Sequence, residues 1–197
     1  MWFLRFLANI IFRVFIRVKV YGEENMPESG PVILASNHVT MLDMFMIGWK
    51  IKRKVHWMAK AELFKNKLLA KIITSLGAYP VKRGIRDQSA VKKTLELLEE
   101  DKVIGIFPQG TRSKEKNLKA KYGVARFALE SQACVLPVAI WGNIKLFGKA
   151  YVRFGEPYKI EKTKDSYAKD EYMQIASDIL TNIYDLMSVP SNESKKQ

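Results

Sequence analysis

The sequence predicts an α/β domain with a mostly parallel central sheet flanked by helices, preceded by an amphipathic N-terminal helix. Short apolar, β-branched runs alternate with helix-period runs from residue 31 to about residue 187, the pattern of a parallel sheet covered on both faces. A chain of 197 residues, 48% of them apolar, is one domain on size and long enough for a sizeable core. The first twenty residues are strongly apolar yet carry arginines at regular intervals.

That opening stretch, "MWFLRFLANIIFRVFIRVKV", is too interrupted for a clean membrane span, because Arg5, Arg13 and Arg17 break it. It also lacks the small-residue cleavage site of a signal peptide. Arg5, Asn9, Arg13 and Arg17 recur every four residues, so they drift slowly along one side of a helix and leave a broad apolar face. A helix lying in the membrane interface fits best. A core helix of an ordinary domain and a tilted span with snorkelling arginines are the alternatives. The expected division is residues 1–20 as a membrane-associating helix, 21–188 as the main domain and 189–197 as a polar tail.

The remaining elements follow in order. "PVILAS" is a buried strand, a helix runs from about Leu42 to Lys52, and "KVHWMAK" alternates as a strand. "LFKNKLLAKIITSL" is helical, "AYPVKR" a strand, "DQSAVKKTLELLEE" an amphipathic helix and "KVIGIF" a strand. A helix near "YGVARFALES", the strands "CVLPVAIWG" and "YVRFGEP", and a last helix over roughly 166–187 complete the domain. Pro137 inside an apolar strand predicts an edge strand or a bulge.

The net charge of +13 calls for an anionic partner without choosing among nucleic acid, membrane and acidic ligand. No zinc-type cysteine spacing, RNA-binding aromatic signature or Walker loop accompanies it. Cys134 stands alone; it excludes an internal disulfide and reads as a packing residue.

The unusual residues fall beyond the carboxyl ends of strands, where open α/β sheets bind ligands. "SNHVTMLD" places His38 after a strand and Asp43 in the first turn of a helix whose cap is Thr40. Asp43 either orients the imidazole of a general base or only caps its helix. "GAYPVKRG" ends on Lys82 and Arg83, either an anion site or a salt-bridging strand end. "FPQGTRS" follows a strand with a proline stop, a permissive glycine and the donors Thr111 and Arg112; it is a phosphate or oxyanion loop, or a plain turn.

Together these blocks resemble the glycerolipid acyltransferases, and within them the 1-acylglycerol-3-phosphate acyltransferases. The resemblance rests on Asn37, His38 and Asp43, then Lys60, Glu62 and Leu63, then Gly77, Tyr79 and Arg83. Phe107, Pro108, Gly110, Thr111, Arg112 and Ser113 follow, and Val135, Leu136, Pro137 and Val138 come last, in family order over about residues 20–157. Gln109 replaces the family's usual Glu, and Thr40 stands where Ser is commoner.

The resemblance implies transfer of an acyl group from an acyl-coenzyme A or acyl carrier protein thioester to the hydroxyl of lysophosphatidate. His38 and Asp43 would be catalytic, and Asn37, Lys60, Arg83, Gln109, Gly110, Thr111 and Arg112 would bind substrate. No cofactor, metal or nucleic acid is implied. The expected place is the cytoplasmic face of the membrane, held peripherally or monotopically on an anionic surface. Another lysolipid acceptor, such as a lyso-ornithine lipid, and an idle basic membrane- or nucleic-acid-binding protein are the competing readings.

Overall fold

The computed structural model describes residues 12, 16–82, 87–113, 115, 116 and 118–187. One seven-stranded sheet organises them. In chain order its elements are β1 (Val18–Tyr21), β2 (Val32–Ser36), α1 (Asp43–Gly48), β3 (Val55–Lys60), α2 (Lys67–Ser75) and β4 (Ala78–Val81). Then come α3 (Gln88–Glu99), β5 (Val103–Ile106), α4 (Gly123–Ser131), β6 (Cys134–Gly142), β7 (Ala150–Phe154) and α5 (Lys169–Asp185).

The strand order is β1-β7-β6-β2-β5-β3-β4. Strands β4, β3, β5, β2 and β6 run parallel, while β7 pairs antiparallel to β6 and carries β1 with it. The expected mostly parallel sheet is therefore present, with a reversed pair along one side.

Both faces are buried, and β2 shows how. Ile33 and Ala35 belong to a core cluster that contains Leu97 and Leu98 of α3, Phe127 of α4 and Leu180 of α5. Val32 and Leu34 belong to the opposite cluster, with Met46 and Ile47 of α1, Phe154, Phe12 and Ile16. A strand enclosed on both faces reads as a continuous apolar run, since alternate side chains enter two different cores.

Several expectations change. Residues 1–11 and 13–15 of the expected N-terminal helix lie outside the described residues, as does the whole of the expected tail at 189–197. Val18 to Val20, given to that helix, are instead part of strand β1, and Arg17 before it has φ 49°. The lysine-rich run read as one helix is a 3-10 turn, Ala61–Phe64, followed by α2. Asn66 breaks it because its side chain accepts from the backbone N–H of Leu68 and Leu69, capping a new helix. The helix expected over Leu42–Lys52 is only Asp43–Gly48.

Pro137 does not lie at an edge: β6 sits between β7 and β2. The other half of that expectation fits, because the register slips by one residue between the Val135–Tyr158 bridge and the Val138–Phe154 pair. The missing N–H falls in that break, where Pro137 still accepts from the Gly155 N–H at 2.8 Å. Pro80 occupies β4, which is an edge strand. Cys134 is half-buried at the amino end of β6 rather than fully packed.

Candidate active site

β2 ends between β6 and β5, and that placement assembles the site. Asn37, the first residue beyond β2, bonds with both side-chain atoms to Ile140 of β6: Nδ2 donates to its carbonyl at 2.7 Å and Oδ1 accepts its N–H at 2.8 Å. It is buried. Asn37 therefore fastens the carboxyl end of β2 to the neighbouring strand, which fixes where the following histidine begins.

His38 then turns its ring toward the start of α1. Its Nδ1 lies 2.7 Å from Asp43 Oδ2. Asp43 is fully buried, while the His38 side chain retains 13% exposure. The carboxylate accepts from the N–H of Val39 at 2.7 Å, from the N–H of Thr40 at 3.0 Å and from the Thr40 hydroxyl at 2.8 Å. Thr40 Oγ1 in turn accepts from the Leu42 N–H at 3.1 Å. The two roles considered for Asp43 are thus compatible: one residue closes the turn before α1 and meets the imidazole. A buried carboxylate needs such partners. With Nδ1–H donated to Asp43, the lone pair of the ring is on Nε2.

The loop after β5 forms the other wall. The Phe107 ring stacks on the His38 ring, centroids 4.0 Å apart and planes 12° from parallel. Trp57 of β3 also stacks on Phe107, with centroids 4.9 Å apart. Gln109 is buried; its Oε1 accepts the His38 N–H at 3.2 Å and its Nε2 donates to the Tyr184 hydroxyl of α5 at 2.9 Å. The Ser113 N–H donates to the His38 carbonyl at 2.8 Å. The backbone of His38 is thus held at both its N–H and its carbonyl by the 107–113 loop.

Gly110 turns that loop with φ 70°, closed by its N–H on the Phe107 carbonyl at 2.9 Å. Thr111 and Arg112 are exposed beyond the turn, and Lys60 is exposed at the end of β3. All three sit at the carboxyl end of the sheet with His38. Arg83 lies outside the described residues.

The Gly77 and Tyr79 block proves structural where it is described. Gly77 has φ 100°, and a Cβ there would stand 2.7 Å from the Val55 carbonyl oxygen. The Tyr79 hydroxyl bonds the Thr94 hydroxyl at 2.9 Å, tying β4 to α3, and burial pushes its pKa up to about 12. His56 stands on β3, half-buried; burial first, then the nearby Lys54 and Lys102, pushes its pKa below the usual histidine range. Among the described residues no group of three or more His, Cys, Asp or Glu could hold a metal ion.

Sequence reasoning missed Trp57 and Tyr184. A signal for Trp57 existed: Gly105 interrupts the buried strand β5 and pairs with Trp57 across β3, and a Cβ on Gly105 would stand 2.4 Å from the indole. A glycine inside a strand marks such an approach. Nothing local to "FPQGTRS" announces Tyr184, 75 residues away.

A sequence model of the acyltransferase family matches residues 17–141. A 1-acyl-sn-glycerol-3-phosphate acyltransferase of Bacillus subtilis is 36% identical over 146 residues, 71% of this chain and 73% of that protein. A protein of the same name from Borreliella burgdorferi is 28% identical over 137 residues, 68% of this chain and 55% of its own length. The crystal structure of a Thermotoga maritima 1-acyl-sn-glycerophosphate acyltransferase has the same fold. Its TM-score is 0.66 at 24% identity, covering 92% of this chain and 77% of that one.

Proposed function

The chain belongs to the acyltransferase family, among the 1-acyl-sn-glycerol-3-phosphate acyltransferases, and from that membership we propose that it moves an acyl group from a thioester to the free hydroxyl of lysophosphatidate. The observation that carries the proposal is the 2.7 Å pair of His38 and the fully buried Asp43 beyond the carboxyl end of β2. His38 Nε2 takes the proton of the acceptor hydroxyl as its oxygen attacks the thioester carbonyl; Asp43 fixes the tautomer and stabilises the imidazolium. No serine acyl-enzyme is needed, since a thiol of pKa about 8.5 leaves readily. The donor is acyl-coenzyme A or an acyl carrier protein.

Arg112 and Lys60, exposed on the same end, together with Arg83 hold the acceptor phosphate; the planar fork of arginine suits its oxygens. Thr111 and Gly110 present the loop to the substrate. Gln109 and Asn37 act from behind, by placing His38. This bears on the choice of acceptor. The departure from the family's Glu is buried against His38 and Tyr184, so it gives no reason to prefer another lysolipid. The enzyme works at the cytoplasmic face of the membrane, where a basic surface meets anionic lipid and acidic or polyanionic donors.

The test is thiol release from acyl-coenzyme A in the presence of lysophosphatidate. The parent should release thiol only with the acceptor present, and His38→Ala should lose on the order of 10²–10⁴ in rate. His56→Ala, on β3 and away from the loop, should keep most of it. The reverse pattern would remove His38 from the mechanism.

A further inference from the structure

The end of the sheet that holds the site differs from the opposite end in a way the chemistry alone does not require. At the opposite end the loops at 27–30, 52–54 and 100–102 read Pro-Glu-Ser-Gly, Lys-Arg-Lys and Glu-Asp-Lys, with no exposed large apolar side chain, while Leu76 before β4 is 37% exposed. At the site end three separate segments expose them. Met41 is 69% exposed and Phe45 46% exposed in the turn and helix after β2. Leu68 and Ile72, 72% and 49% exposed, form a stripe on α2 after β3. Leu146 and Phe147, 68% and 58% exposed, tip the loop between β6 and β7. Single exposed apolar residues are ordinary, but their gathering on one end is not.

We propose that this rim is a lipid-docking surface, distinct from the N-terminal segment, which seats the mouth of the site on an anionic bilayer. Its purpose rests on the acyltransfer reading; its physical basis does not. The three segments follow β6, β2 and β3, three strand spacings apart in all, so they straddle the His38 mouth over roughly 15 Å. Leu68 and Ile72 lie four residues apart on one helical face, and α2 contains no fully buried residue. An amphipathic helix with no buried face suits an interface.

Charge selects the occupant. From residue 60 to 76 there are Lys60, Lys65, Lys67 and Lys71 against Glu62 alone, and the loop at 143–149 carries Lys145 and Lys149 with no acid. Asp43, the acid of the middle segment, is buried. Apolar tips ringed by lysines match an anionic headgroup layer, into which the tips insert while the ammonium groups stay at its surface. A protein covering all three segments would close the mouth, whereas a bilayer brings a lipid acceptor to it.

The test uses the full chain and vesicles of phosphatidylglycerol and phosphatidylcholine, with pure phosphatidylcholine as comparison. Phe147 has φ 59°, so Phe147→Asn keeps a residue that tolerates that conformation. The double variants Leu146→Gln/Phe147→Asn and Leu68→Gln/Ile72→Gln should each lower partitioning onto anionic vesicles on the order of tenfold or more, with melting temperature retained. Leu146→Trp should shift its added emission to the blue on those vesicles and be quenched by brominated acyl chains. Turnover of a short-chain, water-soluble acceptor should be unchanged, while turnover of vesicle-borne acceptor falls. Unchanged partitioning of both double variants, or an unshifted Leu146→Trp, overturns the proposal. So does a parent that sizes as a dimer and variants that size as monomers, because the rim would then join two copies. Absence of turnover in the parent would refute the acyltransfer reading alone, since partitioning is read without it.

Discussion

At the scale of single residues, the ring and the backbone of His38 are each held by two neighbours. Asp43 takes Nδ1, Phe107 lies flat against the ring, and Gln109 and Ser113 fix its backbone. Phe107→Leu keeps an apolar side chain but removes the stack, worth about 0.5–1.5 kcal/mol. If the stack aligns the ring, kcat should fall by roughly three- to tenfold with the acceptor KM little changed; a change in KM alone would place Phe107 in substrate binding. Gln109 offers a second probe. A glutamate there accepts the His38 N–H equally well, and the Tyr184 hydroxyl can turn to donate. Gln109→Glu should therefore retain turnover, whereas Gln109→Leu removes the bonds to His38 and Tyr184 together and should lower both melting temperature and kcat. A folded but inactive Gln109→Glu would mean that the site requires a neutral amide.

At the scale of elements, caps decide where helices begin, and Asp87 is the clearest. Its Oδ1 accepts from the N–H groups of Ser89 and Ala90 at the start of α3 and from the Ser89 hydroxyl at 2.6 Å. Its Oδ2 accepts from the Lys82 N–H at 2.8 Å, joining the end of β4 to the helix across residues 83–86. These bonds, the Ser89 hydroxyl first, pull its pKa from 3.8 down to about 2. A depressed carboxylate stabilises the fold fully above its unfolded pKa and loses that contribution as pH falls through the folded one. Asp87→Ala should therefore melt below the parent at pH 7, and the gap should narrow between about pH 4 and pH 2. A gap independent of pH would assign the loss to something other than the charged cap. The helix that begins at Asp87 was legible, though not the role of Asp87 as its cap, and so were the strand-end positions of His38, Arg112 and Lys60, because each depends on neighbours in sequence. The break at Asn66 is hidden in the sequence because apolar spacing continues on both sides of a single capping residue. Asn37 was not: its partner Ile140 is 103 residues away, and a side chain that fastens two strands looks in sequence like one aimed at substrate.

At the scale of the whole molecule, the reversed strands β7 and β1 determine where the N-terminal segment joins the domain. Because β7 runs against β6 and β1 runs with β7, Arg17 comes to the same end of the sheet as His38, where it bonds the Phe147 carbonyl. The described chain therefore enters β1 beside the site. The join is also structural. Phe12 packs edge-on against Trp49 at 5.5 Å, and Phe12, Ile16 and Val18 are buried in the core. A deletion of residues 2–18 would open that core and remove the start of β1, so loss of lipid binding would say nothing about membranes; large apolar truncations cost about 2–5 kcal/mol each. Removing residues 2–11 separates the effects. That variant should keep its melting temperature within a few degrees and bind anionic vesicles more weakly than the parent. It should still bind through the rim, and more weakly as salt rises. Arg5→Gln should remove part of the anionic preference, since each basic residue near such a surface contributes about 1 kcal/mol. Equal binding by the 2–11 deletion and the parent at every salt concentration would leave the rim as the sole anchor. Protease protection placing Met1 across the bilayer from the catalytic end would instead make the segment a span, and its arginines would have to reach the interfaces by snorkelling.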